Sequence, residues 1–310
     1  MSLVSSQTRL VDADNITQIG SNSVPHLLLP QAKSLFRQRA RRLRYLAKGH
    51  ALEAWLLFCA ELCDTQEQLT ATISVPHLDA TKAKTSLQHG MPPISIADWQ
   101  AGELSWSTWQ SFLDQMPLEH APNERKTLVQ HLKTWDQTTW QHQAQALLLG
   151  HTERLTPEAV PFLGAVLQLK WTLQAEKLPT ELAQLHQGET ALCPVCGSHP
   201  MVSLVQIGDP THGVRFLVCS LCQSQWHAPR AKCTNCDSPT PVQLLGETEK
   251  SPIQGECCDA CNGYVKLLSL MREAQLEACA DDLASLALDV SLHKEGYGRT
   301  ARNLFLAGIH

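Results

Sequence analysis

The chain has 310 residues, is 43% hydrophobic and carries a formal charge of -5, so it can bury a large core, and its length points to about two domains. This balance excludes a bulk electrostatic attraction to nucleic acid or anionic lipid, and a polyanionic partner would need a local basic patch. The opening sequence MSLVSSQTRLVDADN lacks the charged start and apolar core of a secretory signal, and no apolar run approaches the ~18 residues of a membrane span, so a cytoplasmic protein without membrane contact is expected.

Residues 1–30 read as a flexible N-terminal segment. A mostly helical domain is expected over 31–188. Leu35, Ala40, Leu43 and Ala47 recur at helical intervals, as do Leu52, Leu56, Cys59 and Cys63, which predicts two helices joined near Gly49. The segments SWSTWQSFLDQM, ERKTLVQHLKTWDQTTWQHQAQALLLG and TPEAVPFLGAVLQLKWTLQAEKL continue the same period, and Thr156 before Pro157 reads as an N-cap followed by the first helical residue. From about 189 to 270 the composition changes to β-branched runs, Gly and Pro clusters and paired cysteines, a small loop-rich β module. REAQLEACADDLASLALDV then restores a helical period through Leu276, Leu283 and Val290, giving a C-terminal helix and tail over 271–310.

The twelve cysteines would suggest disulfides in a small secreted domain, but in a chain of this size without a signal their CxxC spacing points to metal or redox chemistry. Four CxxC pairs occur in two units of nearly equal length. Cys193 and Cys196 precede Cys219 and Cys222 by 22 residues, Cys233 and Cys236 precede Cys258 and Cys261 by 21, and ten residues separate the units. A CxxC turn offers two thiolates to one metal ion, and a second turn across a hairpin completes a tetrahedral four-sulfur cage. Each unit has its own candidate hairpin, MVSLVQIG with GVRFLVC and PVQLLGE with a return toward Cys258. Tandem closure therefore costs less loop entropy than an interleaved cross-brace. The stretch CSLCQSQWHAPRAKCTNC is then a junction between two sites, 189–228 and 229–270.

Other candidates have plainer readings. In ECCDAC the repeat selects Cys258 as ligand and leaves Cys257 as an adjacent thiol, whose reactivity depends on exposure and thiolate character. Cys59, Cys63 and Cys279 sit on apolar helix faces and read as core. His199 and His227 could replace a thiolate, but eight cysteines already make two complete sets, which places the histidines around the cages or on the surface. Trp106 with Trp109, and Trp135 with Trp140, read as aromatic core. The basic run from Lys33 to Lys48, with Arg37, Arg39, Arg41, Arg42 and Arg44, reads as a solvated helix face or a docking surface for an acidic partner. Residues 190–270 hold six acidic and five basic side chains, and each metal with four thiolates adds about two negative charges, which disfavours a zinc-ribbon nucleic-acid binder. The chain has no HExxH, P-loop, dinucleotide fingerprint or nucleophile elbow.

The motifs CPVCGSHPMVS, RFLVCSLCQSQWHAPRAKCTNC, CCDACNGYVKLL and ADDLASLALDV followed by EGYGR, with LLLPQAKSLFRQRARRLR near the start, resemble those of the bacterial formate dehydrogenase accessory protein, the FdhE family. The resemblance implies a helical domain joined to two tandem rubredoxin-like units, each a four-cysteine metal knuckle. Cys193, Cys196, Cys219, Cys222, Cys233, Cys236, Cys258 and Cys261 then hold two metal ions per chain, iron or zinc. It further implies a cytoplasmic, non-enzymatic protein that binds the catalytic subunit of respiratory formate dehydrogenase before export. The competing class is an electron carrier, because iron held by four thiolates can cycle by one electron whereas zinc cannot. The spacing does not distinguish the metals.

Overall fold

The computed structural model describes residues 3–6, 24–76, 78–97, 103–183, 190–229, 232–238, 240 and 242–306. Two short strands come first, β1 (Val4–Ser6) and β2 (Leu27–Leu28), and both pair with strands far along the chain. Both lie within the 1–30 stretch read as a flexible segment, most of which falls outside the described residues. Their backbone groups find partners on the two outer edges of a sheet, and Leu27 is buried.

The apolar faces of α1 (Ala32–Ala47) and α2 (Glu53–Leu69) pack together through Phe36, Ala40 and Leu43 against Leu56, Cys59 and Cys63. The chain turns between them at Gly49, whose φ of +70° lies in the region that favours glycine. Cys59 and Cys63 are core, as their spacing predicts, and burial pushes both thiols well above the ordinary cysteine range. Next come α3 (Ala80–Gln88), α4 (Glu103–Gln115), α5 (Asn123–Lys133) and α6 (Gln137–Leu149). The period from 124 to 150 resolves into the last two of these because Asp136 accepts from the Thr139 amide and starts a new helix. Trp109 stacks on Trp135 at 5.7 Å and approaches Trp140 at 6.4 Å, and Trp109 and Trp140 are fully buried. These tryptophans form an aromatic core rather than a stacking surface.

At Thr156 the reading shifts slightly. Thr156 precedes a 3-10 turn, Pro157–Ala159, without a side-chain capping bond, and the α-helix proper, α7 (Val160–Glu176), begins beyond it. Nearly every side chain of α7 is buried, which makes it the central helix of the body. The carbonyl of Leu304 lies so close to Gly164 that a Cβ there would stand 2.2 Å from it, so glycine is what seats the C-terminal segment on α7. The short α8 (Thr180–Ala183) closes the helical region.

The strands β3 (Pro200–Val205), β4 (Arg215–Cys219) and β5 (Gln225–His227) form one antiparallel meander, and β6 (Gln243–Gly246), β7 (Ile253–Cys258) and β8 (Gly263–Ser269) form a second. The hairpins read from the sequence are thus present, each with a third strand. The two meanders do not stand apart. β3 and β8 pair in parallel, Ser203 with Leu267 and Val205 with Ser269, so both belong to one sheet of order β1-β6-β7-β8-β3-β4-β5-β2.

The C-terminal helical period is two helices, α9 (Ala278–Ala284) and α10 (Leu286–Lys294), not one. The break falls at Ser285, whose backbone leaves the helical region (φ -103°, ψ 30°) and where Lys266 Nζ takes the carbonyls of Asp282 and Ser285. After the break Leu288 and Leu292 face inward, whereas Val290, assigned to the buried stripe by its spacing, is 56% exposed. The last strand, β9 (Gly298–Arg299), pairs with β8. Lys266 on β8, fully buried, ties these helices down: its ammonium lies 3.1 Å from Asp282 and 2.5 Å from Asp289, and Arg299 joins both carboxylates.

The basic run on α1 is neither wholly solvated nor a free docking face. Arg39 and Arg42 are buried against α9, where Arg39 pairs with Glu277 and Arg42 with Asp281 and Glu273. Arg37 and Arg44 reach across to Glu67 and Asp64 of α2. Glu273, Glu277 and Asp281 recur every fourth residue, and that acidic ladder is the complement of the arginines.

Candidate metal centres

The eight CxxC thiols gather into two clusters, Cys193 with Cys196, Cys219 and Cys222, and Cys233 with Cys236, Cys258 and Cys261. Within each, the sulfur atoms all lie within 4.8 Å of one another. Cys193 Sγ is 3.5 Å from Cys222 and Cys196 Sγ 3.4 Å from Cys219; the matching pairs in the second cluster are 3.9 and 3.8 Å. Four sulfurs bound tetrahedrally at ~2.3 Å would be separated by ~3.8 Å, so both donor sets suit a tetrahedral, thiophilic ion. The pairs close in tandem, first with second and third with fourth.

The backbone shapes these turns by one repeated device. The residue directly after each CxxC has positive φ: Gly197 at +78°, Gln223 at +62°, Asp237 at +60° and Asn262 at +51°. Gly, Asp and Asn adopt this left-handed conformation readily; Gln does not. The turn directs amides at sulfur, with Leu221 and Cys222 N–H donating to Cys219 Sγ at 3.3 Å and Asn235 N–H to Cys233 Sγ at 3.4 Å. Such donors favour the thiolate form that a metal requires.

The clusters differ in exposure. All four cysteines of the first are buried, whereas in the second Cys236 is exposed and Cys261 half-buried. Burial drives the Cys193 and Cys196 thiols well above their ordinary range; in Cys222 the same burial is outweighed by hydrogen bonding with the neighbouring thiols, which pulls it down. The first cluster is also anchored to the helical body. Gln223 accepts from Arg39 at 2.7 Å and donates to the Ser220 carbonyl, while Gln168 of α7 accepts from Arg39 and donates to the same carbonyl at 2.8 Å. Burial acts to lower the Arg39 pKa, but the charge and hydrogen bond of Glu277 oppose it, so the guanidinium stays charged. These contacts hold Gln223 in its unfavourable conformation. Neither the left-handed position nor the arginine socket was singled out from sequence, although Gly, Asp and Asn after three of the four CxxC pairs carry a signal for the former.

Cys257 lies outside both clusters. Neighbouring residues of a strand face opposite ways, so Cys258 on β7 points into the second cluster while Cys257 packs with Leu245, Tyr264, Leu288 and Leu292. Burial first, then Asp259 and Glu256, push its thiol up to about 12. Cys257→Ser is therefore expected to leave metal content unchanged and Cys258→Ser to remove the second ion, as metal analysis of the two variants would show. The reverse result would put Cys257 in the cage. His227 makes edge contacts with His26 and Phe216, and the His199 carbonyl accepts from Ser220; neither imidazole belongs to a cluster.

Among the described residues no helix is long and apolar enough to cross a membrane. Residues 24–187 match the family model for the FdhE N-terminal region, 192–230 that for the central domain and 231–306 that for the C-terminal domain. Protein FdhE of Escherichia coli O1:K1 / APEC is 33% identical over 290 residues, 92% of each chain, and that of Escherichia coli O45:K1 (strain S88 / ExPEC) shows the same identity and coverage. The crystal structure of the FdhE protein from Pseudomonas aeruginosa superposes with a TM-score of 0.82 at 34% identity, covering 92% of this chain and 99% of that one. In motif, length and architecture alike, the chain belongs to the FdhE family of formate dehydrogenase accessory proteins.

Proposed function

We propose that the chain is a non-catalytic maturation factor that binds the catalytic subunit of respiratory formate dehydrogenase in the cytoplasm before export. Family membership along nearly the whole chain is the observation that carries this reading. Each cysteine cluster holds one metal ion, iron or zinc, with Cys193, Cys196, Cys219 and Cys222 as ligands of the first and Cys233, Cys236, Cys258 and Cys261 of the second. A bound ion would cross-link the two turns of its unit and, if iron, would offer a one-electron couple. The chain's own residues do the rest: the amides at Cys219 and Cys233 favour thiolate, and Arg39 with Gln168 fixes the first cage to the body.

A second reading, electron carrier, draws on the exposure of Cys236, which would bring a redox centre to the surface. The binding reading is tested by mixing purified chain with the isolated catalytic subunit at matched concentrations and measuring complex formation by sedimentation. A defined complex is expected; two independent species at micromolar concentration would count against it.

A further inference from the structure

A groove of about 690 Å³ opens on the helical body, and none of its lining residues belongs to either cysteine cluster. Trp55 and Phe58 of α2 form one wall, and Pro161 and Phe162 of α7 another. Phe305 and Leu306 supply the third, held there by the close seating of Leu304 on Gly164. Three segments distant in sequence thus converge on one apolar concavity, of a volume typical of ligand sites. Trp55 and Phe58 stay half-exposed, although aromatic side chains are those most often used to anchor a partner.

The rim is acidic. Glu124, at the start of α5, and Glu158, in the turn before α7, are exposed at the groove, and neither carboxylate has an ion-pair partner among the described residues. Among the described residues that line the groove the one cation, Arg125, is already engaged: it pairs with Glu61 and lies 4.6 Å from the Phe58 ring centre. The groove therefore combines apolar walls with an uncompensated negative edge. We infer that it binds an apolar peptide segment of a partner protein flanked by lysine or arginine, the large side chains entering the groove and the cations meeting Glu124 and Glu158. The inference deepens the accessory-protein reading, since it gives the chemistry of the client segment that would be held. Hot-spot aromatics would supply affinity, and the rim charges orientation and rate.

The test uses the full-length, metal-loaded chain and three synthetic peptides: a Leu-Leu-Phe-Leu core flanked by lysines, the same core flanked by glutamates, and a serine core flanked by lysines. The first is expected to bind saturably, and the other two about tenfold more weakly or worse. Glu124→Lys with Glu158→Lys should reverse the preference between lysine and glutamate flanks. Ala54→Trp, at an exposed lining position of α2, should fill the groove and abolish binding without hollowing the core. Equal binding of both flanked peptides, no saturable binding by any, or indifference to Ala54→Trp would overturn the inference. So would binding that emerges only after deletion of residues 307–310, which would make the chain's own end the occupant. The two readings can fail separately. If the formate dehydrogenase catalytic subunit binds wild type and Ala54→Trp equally and the peptides do not bind, the groove fails and the accessory role stands. If the peptides bind as described and the subunit does not, the accessory role fails and the groove stands.

Discussion

If each cluster holds one ion as proposed, replacing Cys193 and Cys196 together by serine is expected to leave one metal ion per chain instead of two, and to loosen β3–β5 while β6–β8 stay ordered. The four cysteines of the first cluster are at most 2% exposed, which leaves little solvent to substitute for a lost ion. A structural zinc contributes on the order of 10 kcal/mol to a small finger, comparable to the roughly 5–15 kcal/mol that stabilises a whole domain. Loss of the ion also frees Ser220 and Gln223, and with them two of the contacts that hold Arg39 and Gln168 in place. The equivalent change at Cys233 and Cys236 should remove the other ion with less effect on the body, because that cluster is partly exposed and its Cys236 borders solvent. Metal analysis combined with limited proteolysis separates these outcomes. Simultaneous loss of both ions from either double variant would show that the shared β3–β8 pairing couples the cages, contrary to independent sites.

The second large effect is expected at Lys266. Lys266→Met retains the hydrophobic stem but leaves Asp282 and Asp289, both buried, to share Arg299 alone. Breaking a buried charge network from one side costs about 3–5 kcal/mol, because two buried carboxylates are then left with one counter-charge between them. Adding Asp289→Asn should recover part of that loss. The pH dependence has a definite sign. Burial alone would raise the Asp282 carboxyl, but Arg299 and Lys266 outweigh it and hold it below the ordinary range. A depressed folded-state value means that this contribution is complete above the unfolded value of ~3.9 and is lost as pH falls through the folded one. In Lys266→Met the carboxyl should rise, moving acid unfolding to higher pH. Chemical denaturation of the variants across the acid range measures both effects, and an unchanged acid midpoint would remove Lys266 from the explanation.

Much of the metal architecture was legible because it is local. The nearly equal intervals within Cys193–Cys222 and Cys233–Cys261 identify which turns face one another, since a hairpin of given length brings its ends to one place. The join between the two units was not legible. β3 and β8 are separated by most of the module, and parallel pairing leaves no short-range pattern to read. Arg39 and Arg42 show a different limit. A dense basic run in isolation reads as solvated, and its burial depends on Glu273, Glu277 and Asp281, which stand more than 230 residues later in the chain. The helix break at Ser285 escaped because apolar periodicity does not register a distant side chain, Lys266 of β8, that takes the carbonyls of Asp282 and Ser285.

Whether the metals shape a binding protein or serve electron transfer is decided most directly by restoring formate dehydrogenase activity in cells that lack their own accessory protein, using a chain loaded with zinc and the same chain loaded with iron. The binding account predicts that both forms bind the catalytic subunit equally and restore activity equally, because either ion fits a tetrahedral four-thiolate cage and only its cross-linking is needed. Equal binding with rescue by the iron form alone would contradict that account and make redox cycling part of the function.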